Sequence, residues 1–186
     1  MREHAPKVQT LAKEPRMQTE THLLDDDGCV PNNPILPLVI YRDAFAETVR
    51  PEDVIVRFAG NGWGGAWING IYDFHHYHAR SHEVLANLGV TVTVQFGGAS
   101  GPVIDFPAGA AVVIPAGGGH CRLSSGAGLV IVGAYPAGQE DWDLKRADNP
   151  QDYARAARET PNVALPACDP ITGSRGPLQA YWNLRQ

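Results

Sequence analysis

Between Gly70 and Tyr135 glycine and proline interrupt the chain every few residues, and this spacing constrains the fold more than any other feature. The runs IYDFHHYH, HEVLANL, VTVTVQF, PVID, AAVVI, HCRL and LVIVGAY are separated by ARS, GGASG, FPAG, PAGGG and SSGAG. None is long enough to hold a helix of ordinary length. In VTVTVQF, Val90, Val92, Val94 and Phe96 fall on one face, and Thr91, Thr93 and Gln95 on the other. That period of two marks a strand with one buried side. About seven short strands, each roughly 8–12 residues from the next, predict an all-β sandwich or barrel.

The flanks read differently. A chain of 186 residues suits one domain. Residues 1–20 are polar and aperiodic, which predicts a mobile tail ahead of a single domain over 21–186, with the barrel core at about 68–136. Leu36–Tyr41 predicts a strand, and Pro31, Pro34 and Pro37 place it at a sheet edge or wrapped on the surface, because proline donates nothing to a ladder. Pro51, Glu52 and Asp53 suit a first helical turn, against the β-branched Val54-Ile55-Val56; a helix is expected, stopping at Asn61-Gly62. Asn149 as cap, Pro150 at the first position and Pro161 beyond predict a helix over 150–159. The remaining tail carries Leu165, Leu178, Tyr181 and Trp182, enough apolar surface to wrap the barrel.

Charge excludes some partners. Fifteen Lys and Arg against twenty Asp and Glu give −5, with no basic block, so neither nucleic acid nor an anionic membrane surface is expected. No apolar run approaches the roughly 18 residues of a membrane span, and the first twenty residues lack a signal-type apolar core. Cys29, Cys121 and Cys168 are odd in number and far apart, which fits a reducing compartment; the cytoplasm is the expected location. A homodimer is expected, with the proline-rich strand pairing with or crossing to a neighbour.

Four of the seven histidines lie between His75 and His82. On a strand His76 and His78 share a face, with His75 and Tyr77 opposite. Ala79-Arg80-Ser81 can turn the chain so that Glu83 starts a strand beside the first, carrying a carboxylate back to the imidazoles. Pro115-Ala-Gly-Gly-Gly119 leads into His120, which opens another strand. Three imidazoles and a carboxylate form a mixed nitrogen and oxygen site for a divalent first-row metal. His75 and His82 compete on spacing alone, since a one-residue slip exchanges them with this set.

Gly70-Ile-Tyr-Asp-Phe-His-His76-Tyr-His78-Ala-Arg-Ser-His-Glu83 resembles the first motif of the cupin superfamily, and Gly109-Ala-Ala-Val-Val-Ile-Pro115-Ala-Gly117-Gly-Gly-His120 resembles the second. NGWGGAWINGIYDFHHYH, VQFGG, IPAGGGH, VGAYPAG and DPITGSRGPL extend the likeness over most of the chain, to the small bacterial YjlB-type cupins. The resemblance implies a cupin-type β-barrel, that is a double-stranded β-helix or jelly roll, with a few short flanking helices. It places His76, His78, Glu83 and His120 as ligands of one divalent metal (Mn, Fe, Ni, Co or Zn) and leaves His75 and His82 outside. Two departures are visible: five residues rather than six between Glu83 and Gly89, and Ser124 where asparagine is common.

With four protein ligands an octahedral metal keeps two open positions. Open positions favour a reactive or ligand-binding site, and the cupin resemblance implies a mononuclear metalloenzyme of dioxygenase, isomerase or decarboxylase type acting on a small polar or anionic molecule. The alternative is a non-catalytic module that binds or senses a metal or small ligand. Strand parity puts Phe74 on the face of His76 and His78, Leu85 and Asn87 with Glu83, and Arg122 and Ser124 with His120. Arg122 either holds a substrate carboxylate or packs its stem on the outer sheet. Trp63, Trp67 and Tyr72 read as core or subunit interface ahead of a pocket mouth. Cys121 alternates away from His120 and is expected to be a packed thiol.

Overall fold

The computed structural model describes residues 17–183. Eleven strands are named there: β1 (Thr19–His22), β2 (Leu38–Tyr41), β3 (Trp63–Asn69), β4 (His76–Tyr77), β5 (Glu83–Asn87), β6 (Val92–Phe96), β7 (Val103–Phe106), β8 (Ala111–Ile114), β9 (His120–Ser125), β10 (Ile131–Pro136) and β11 (Lys145–Arg146). They form two sheets, in the orders β1-β2-β8-β5-β10-β3 and β11-β4-β9-β6-β7. Every named pairing is antiparallel. The helices are α1 (Pro51–Gly60), α2 (Pro150–Glu159) and α3 (Pro177–Tyr181). Among the described residues no helix is long and apolar enough to cross a membrane.

Two apolar layers explain the burial patterns. Leu38, Ile40, Leu85, Val112 and Ile114 of the six-stranded sheet meet Val92, Val94, Phe96, Ile104 and Phe106 of the other, which makes the barrel interior. The alternate residues Val39, Tyr41, Val84, Val113 and Val132 point outward and are covered by Phe58 of α1, Leu178 of α3 and Trp182. The middle strands of this sheet are thus buried on both faces and read as continuous apolar runs. The five-stranded sheet keeps more contact with water, and β6 and β7 alternate buried with more exposed positions.

The helix over residues 51–60 forms despite its β-branched run, because Val54 and Phe58 sit one turn apart and both bury against the sheet. Asn149 caps α2 by accepting from the amides of Gln151 and Asp152. Most of the tail expected to be mobile lies outside the described residues, but Thr19 and Glu20 belong to β1. That strand alters the place of its neighbour. β2 is not an edge: it pairs with β1 on one side and β8 on the other, so neither side is free for a partner chain. The prolines precede the ladder and cost it no donor. Of the tail residues, Leu178 and Trp182 are buried, with the Trp182 indole donating to the Pro37 carbonyl, whereas Leu165 and Tyr181 are largely exposed.

Candidate metal centre

β4 and β9 lie side by side in the five-stranded sheet, with His76 directly opposite His120. Opposed residues of an antiparallel pair share a face at close range, and here the ring centroids are 4.0 Å apart. His78 follows β4, and its carbonyl accepts from the Gly117 amide at 2.8 Å, which joins the two motifs through their backbones. Gly117 has φ +84°, and a Cβ there would fall 2.5 Å from Thr160 Cγ2 and 2.7 Å from the Asn32 carbonyl; only glycine fits this turn.

Glu83 reaches the same point from the other sheet. β5 does not run beside β4 as expected; it pairs with β8 and β10, so the carboxylate crosses the barrel interior to meet the imidazoles. Glu83 Oε2 stands 3.5 Å from His78 Nε2 and 3.5 Å from His120 Nε2. All four side chains are buried. Oε1 accepts from the Tyr135 hydroxyl at 2.9 Å, and that hydroxyl accepts from the Trp67 indole at 2.9 Å. Among the described residues Oε2 has no hydrogen-bond partner.

The Nδ1 of each imidazole faces a carbonyl: Phe74 for His76 at 3.0 Å, Asp143 for His78, and Gly118 for His120 at 3.4 Å. A carbonyl only accepts, so the proton belongs on Nδ1 and the Nε2 lone pair is left for the cluster. Burial pushes the His76 and His120 pKa values down, the latter well below the usual range with help from the neighbouring His76. Burial also opposes charge on His78, yet the Glu83 carboxylate prevails and raises it. Burial would raise Glu83, but the three imidazoles together hold it at about 2.

Two ligands each about 2.1 Å from a cation and about 90–110° apart are separated by about 3.0–3.4 Å. The pairs about Glu83 Oε2 are close to that spacing. Among the described residues no group of three or more His, Cys, Asp or Glu side chains already stands in metal-ligand geometry. The fit is therefore one of donor chemistry and of the orphaned, buried Oε2.

The cluster forms the floor of a cavity of about 310 Å³ whose walls include Trp67, Ile71, Tyr72, Leu85, Tyr135 and Trp142. His75 and His82 do not line it. The His82 ring lies 4.8 Å from Trp182, on the outer face of the sheet, and its Nδ1 accepts from the Ala116 amide at 2.8 Å. Trp63 is core, donating to the Cys168 carbonyl, while Trp67 and Tyr72 belong to the pocket. Arg122 is spent elsewhere: Nε donates to the Ile71 carbonyl at 2.9 Å and its head pairs with exposed Asp73. Cys121 is buried. The sequence reasoning missed Tyr135 and Trp142. Tyr135 stands in VGAYPAG on the inward parity of β10, a signal that could have found it; no periodic pattern marks Trp142.

A double antiparallel sheet with an H-x-H…E segment and a P-x-G…H turn meeting inside it defines a cupin-type jelly roll. No protein-family model matches the chain. The uncharacterized protein YjlB of Bacillus subtilis (strain 168) is 42% identical over 165 residues, 89% of this chain and 97% of that protein. The chain belongs to the YjlB family of cupins. More distant similarity extends to a Bacillus anthracis acireductone dioxygenase with cadmium in its active centre (12% identity, 48% of this chain and 60% of that one, TM-score 0.35). A Legionella pneumophila dTDP-6-deoxy-D-glucose-3,5-epimerase is 11% identical over 64% of this chain and 72% of that one, with a TM-score of 0.38.

Proposed function

We propose that the protein is a mononuclear metalloprotein acting on a small molecule, with His76, His78, Glu83 and His120 holding one divalent transition metal. The observation that carries this reading is Glu83 Oε2: a buried carboxylate oxygen, without a hydrogen-bond partner among the described residues, 3.5 Å from two imidazole nitrogens whose protons are directed elsewhere. A buried carboxylate is costly unless positive charge meets it; Glu83 already draws a proton towards His78, and a divalent cation held between the same groups supplies that charge with the imidazoles neutral. Three neutral imidazoles and a carboxylate suit Mn, Fe, Co, Ni or Zn. The chemistry a cation supplies there is polarisation of a coordinated oxygen.

The chain's own residues do the rest. The carbonyls of Phe74, Asp143 and Gly118 fix the imidazole tautomers. The Tyr135 hydroxyl holds Glu83 Oε1, so only Oε2 is free to bind or to take up a proton. Trp142 sets its ring against His78, with centroids 5.2 Å apart, on the wall of the same cavity. These features suit a metal site with a small-molecule pocket above it, and the reading extends to an enzyme of dioxygenase, isomerase or decarboxylase type, which the cupin motifs imply. A homodimer is part of the proposal, and light scattering should give twice the 20.0 kDa chain mass.

Metal content by mass spectrometry tests the centre. The purified protein, or protein dialysed against each metal, should hold close to one equivalent. His78→Ala should lose most of it and keep a β-type circular dichroism spectrum. Protein that takes up none, or whose metal is lost with His82→Ala instead, overturns the assignment.

A further inference from the structure

The walls above the histidine–glutamate floor differ in character from the floor. Tyr72 stacks on Phe74 (centroids 4.9 Å, 26°) and sets its edge against His76 at 5.1 Å. Trp142 stacks on Tyr135 (5.7 Å, 22°) and sets its edge against His78 at 5.2 Å. Two stacked aromatic pairs thus flank the two imidazoles. Trp67 adds a third wall, held over Gly133, where any Cβ would fall 2.2 Å from its ring.

Charge is missing from these walls. Among the described residues no Lys or Arg lines the cavity, and Glu83 is its one acidic side chain. The polar tips of Trp67 and Tyr135 are used on each other and on Glu83. At the mouth Tyr72 is 47% exposed, Ile68 49% and Trp142 38%, so apolar surface is left facing water beside a polar floor. Asn69 and the tips of Tyr72 and Trp142 add neutral polar groups only, so a ligand with a second anionic group would lose hydration in this space and meet no cation in return. A flat apolar body would gain stacking and the burial of those rings.

We infer that the pocket takes a compact planar molecule, aromatic or conjugated, uncharged except for an oxygen-bearing end that meets His76, His78, Glu83 and His120. The inference rests on the proposed metal centre for that end only, and the walls argue independently for the body. A space of about 310 Å³ is some twice the roughly 150 Å³ that houses one benzene in an apolar protein cavity, so one ring with substituents, or two fused rings, fits. This departs from the polar or anionic ligand expected from the sequence.

Calorimetric titration of the whole protein, Zn²⁺-loaded and metal-free, with catechol and with malonate tests it. Catechol should bind the loaded protein at least tenfold more tightly than malonate. It should also outbind malonate in the metal-free protein, through the walls alone. Trp142→Ala and Tyr72→Ala, both partly exposed positions, should each weaken catechol binding at least fivefold, with circular dichroism confirming the fold. Malonate binding as tightly as catechol, or both variants binding catechol like the parent, overturns the inference. A protein that takes up none of Mn²⁺, Fe²⁺, Co²⁺, Ni²⁺ and Zn²⁺ but still prefers catechol overturns the metal centre instead and leaves the aromatic pocket standing.

Discussion

Asp169 ties the C-terminal segment to the barrel, and its removal has a calculable effect. The side chain is fully buried. Oδ2 accepts from the Tyr41 hydroxyl at 2.8 Å and the Leu178 amide at 3.1 Å; Oδ1 accepts from the amides of Ile171 at 2.8 Å and Thr172 at 3.0 Å. Asp169→Ala leaves these donors buried with no acceptor. A hydrogen bond to a charged group is worth about 1.5–3 kcal/mol, and four would suggest more than 6. The variant also escapes the cost of keeping a carboxylate from water, several kcal/mol, so the net loss should be about 3–5 kcal/mol. At about 2–4 °C per kcal/mol for a domain of this size, the melting temperature should fall by roughly 6–20 °C. Asp169→Asn keeps the Oδ1 acceptor and turns an amide towards two donors, so it should lose about half as much. Differential scanning calorimetry of the three proteins decides. A fall of less than 3 °C for Asp169→Ala would refute the reasoning, since it would mean that the tail is held by its apolar side chains and the indole hydrogen bonds of Trp63 and Trp182 without help from the carboxylate.

Three further outcomes are expected. Tyr135→Phe removes the hydroxyl that holds Glu83 Oε1 and should weaken metal binding by about tenfold, read by competition with a chromophoric chelator; unchanged affinity would show that the carboxylate needs no such support. Gly133→Ala pushes a methyl group into the Trp67 ring, so Trp67 should swing out, with a changed near-ultraviolet circular dichroism spectrum and weaker ligand binding; an unaltered spectrum would contradict the close approach. His82 is a pH-dependent liability, because burial takes its pKa down to about 4 from the ordinary 6.5. The unfolded chain takes up that proton first, so stability is full above pH 6.5 and declines as pH falls towards 4, by about 2 kcal/mol at pH 5. Urea midpoints at pH 7 and pH 5 should show a smaller drop for His82→Gln than for the parent, and an equal drop in both proteins would exclude His82 as the cause.

The histidine and glutamate positions were legible because the two motifs encode them as local spacings. What spacing does not encode is which sheet a strand joins. Glu83 follows His78 closely, and nothing in Ala79-Arg80-Ser81 tells a hairpin from a crossing to the opposite sheet; the pairing of β5 with β8 and β10 depends on residues 25 to 50 positions away. The tail expected over residues 1–20 includes Thr19 and Glu20 because TETH has no apolar period, and β1 owes its strand form to the ladder with β2 rather than to burial. β3 was hidden by the glycines of WGGAWIN. The aromatic walls were illegible for the same reason as β5, since Trp67, Tyr72, Tyr135 and Trp142 meet through register and loop geometry. The helix over residues 51–60 shows packing overriding propensity, with Val54 and Phe58 settling a conflict that the residues alone left open.

The unequal covering of the two sheets bears on how the molecule breathes. Amide exchange should be slowest in β5, β8 and β10, which are shielded on both sides, and faster in β6 and β7. Glu83 is anchored in the slow layer and the histidines in or beside the faster one. Small transient partings of the layers would therefore alter the distance between the carboxylate and the imidazoles before any helix or outer strap lets go.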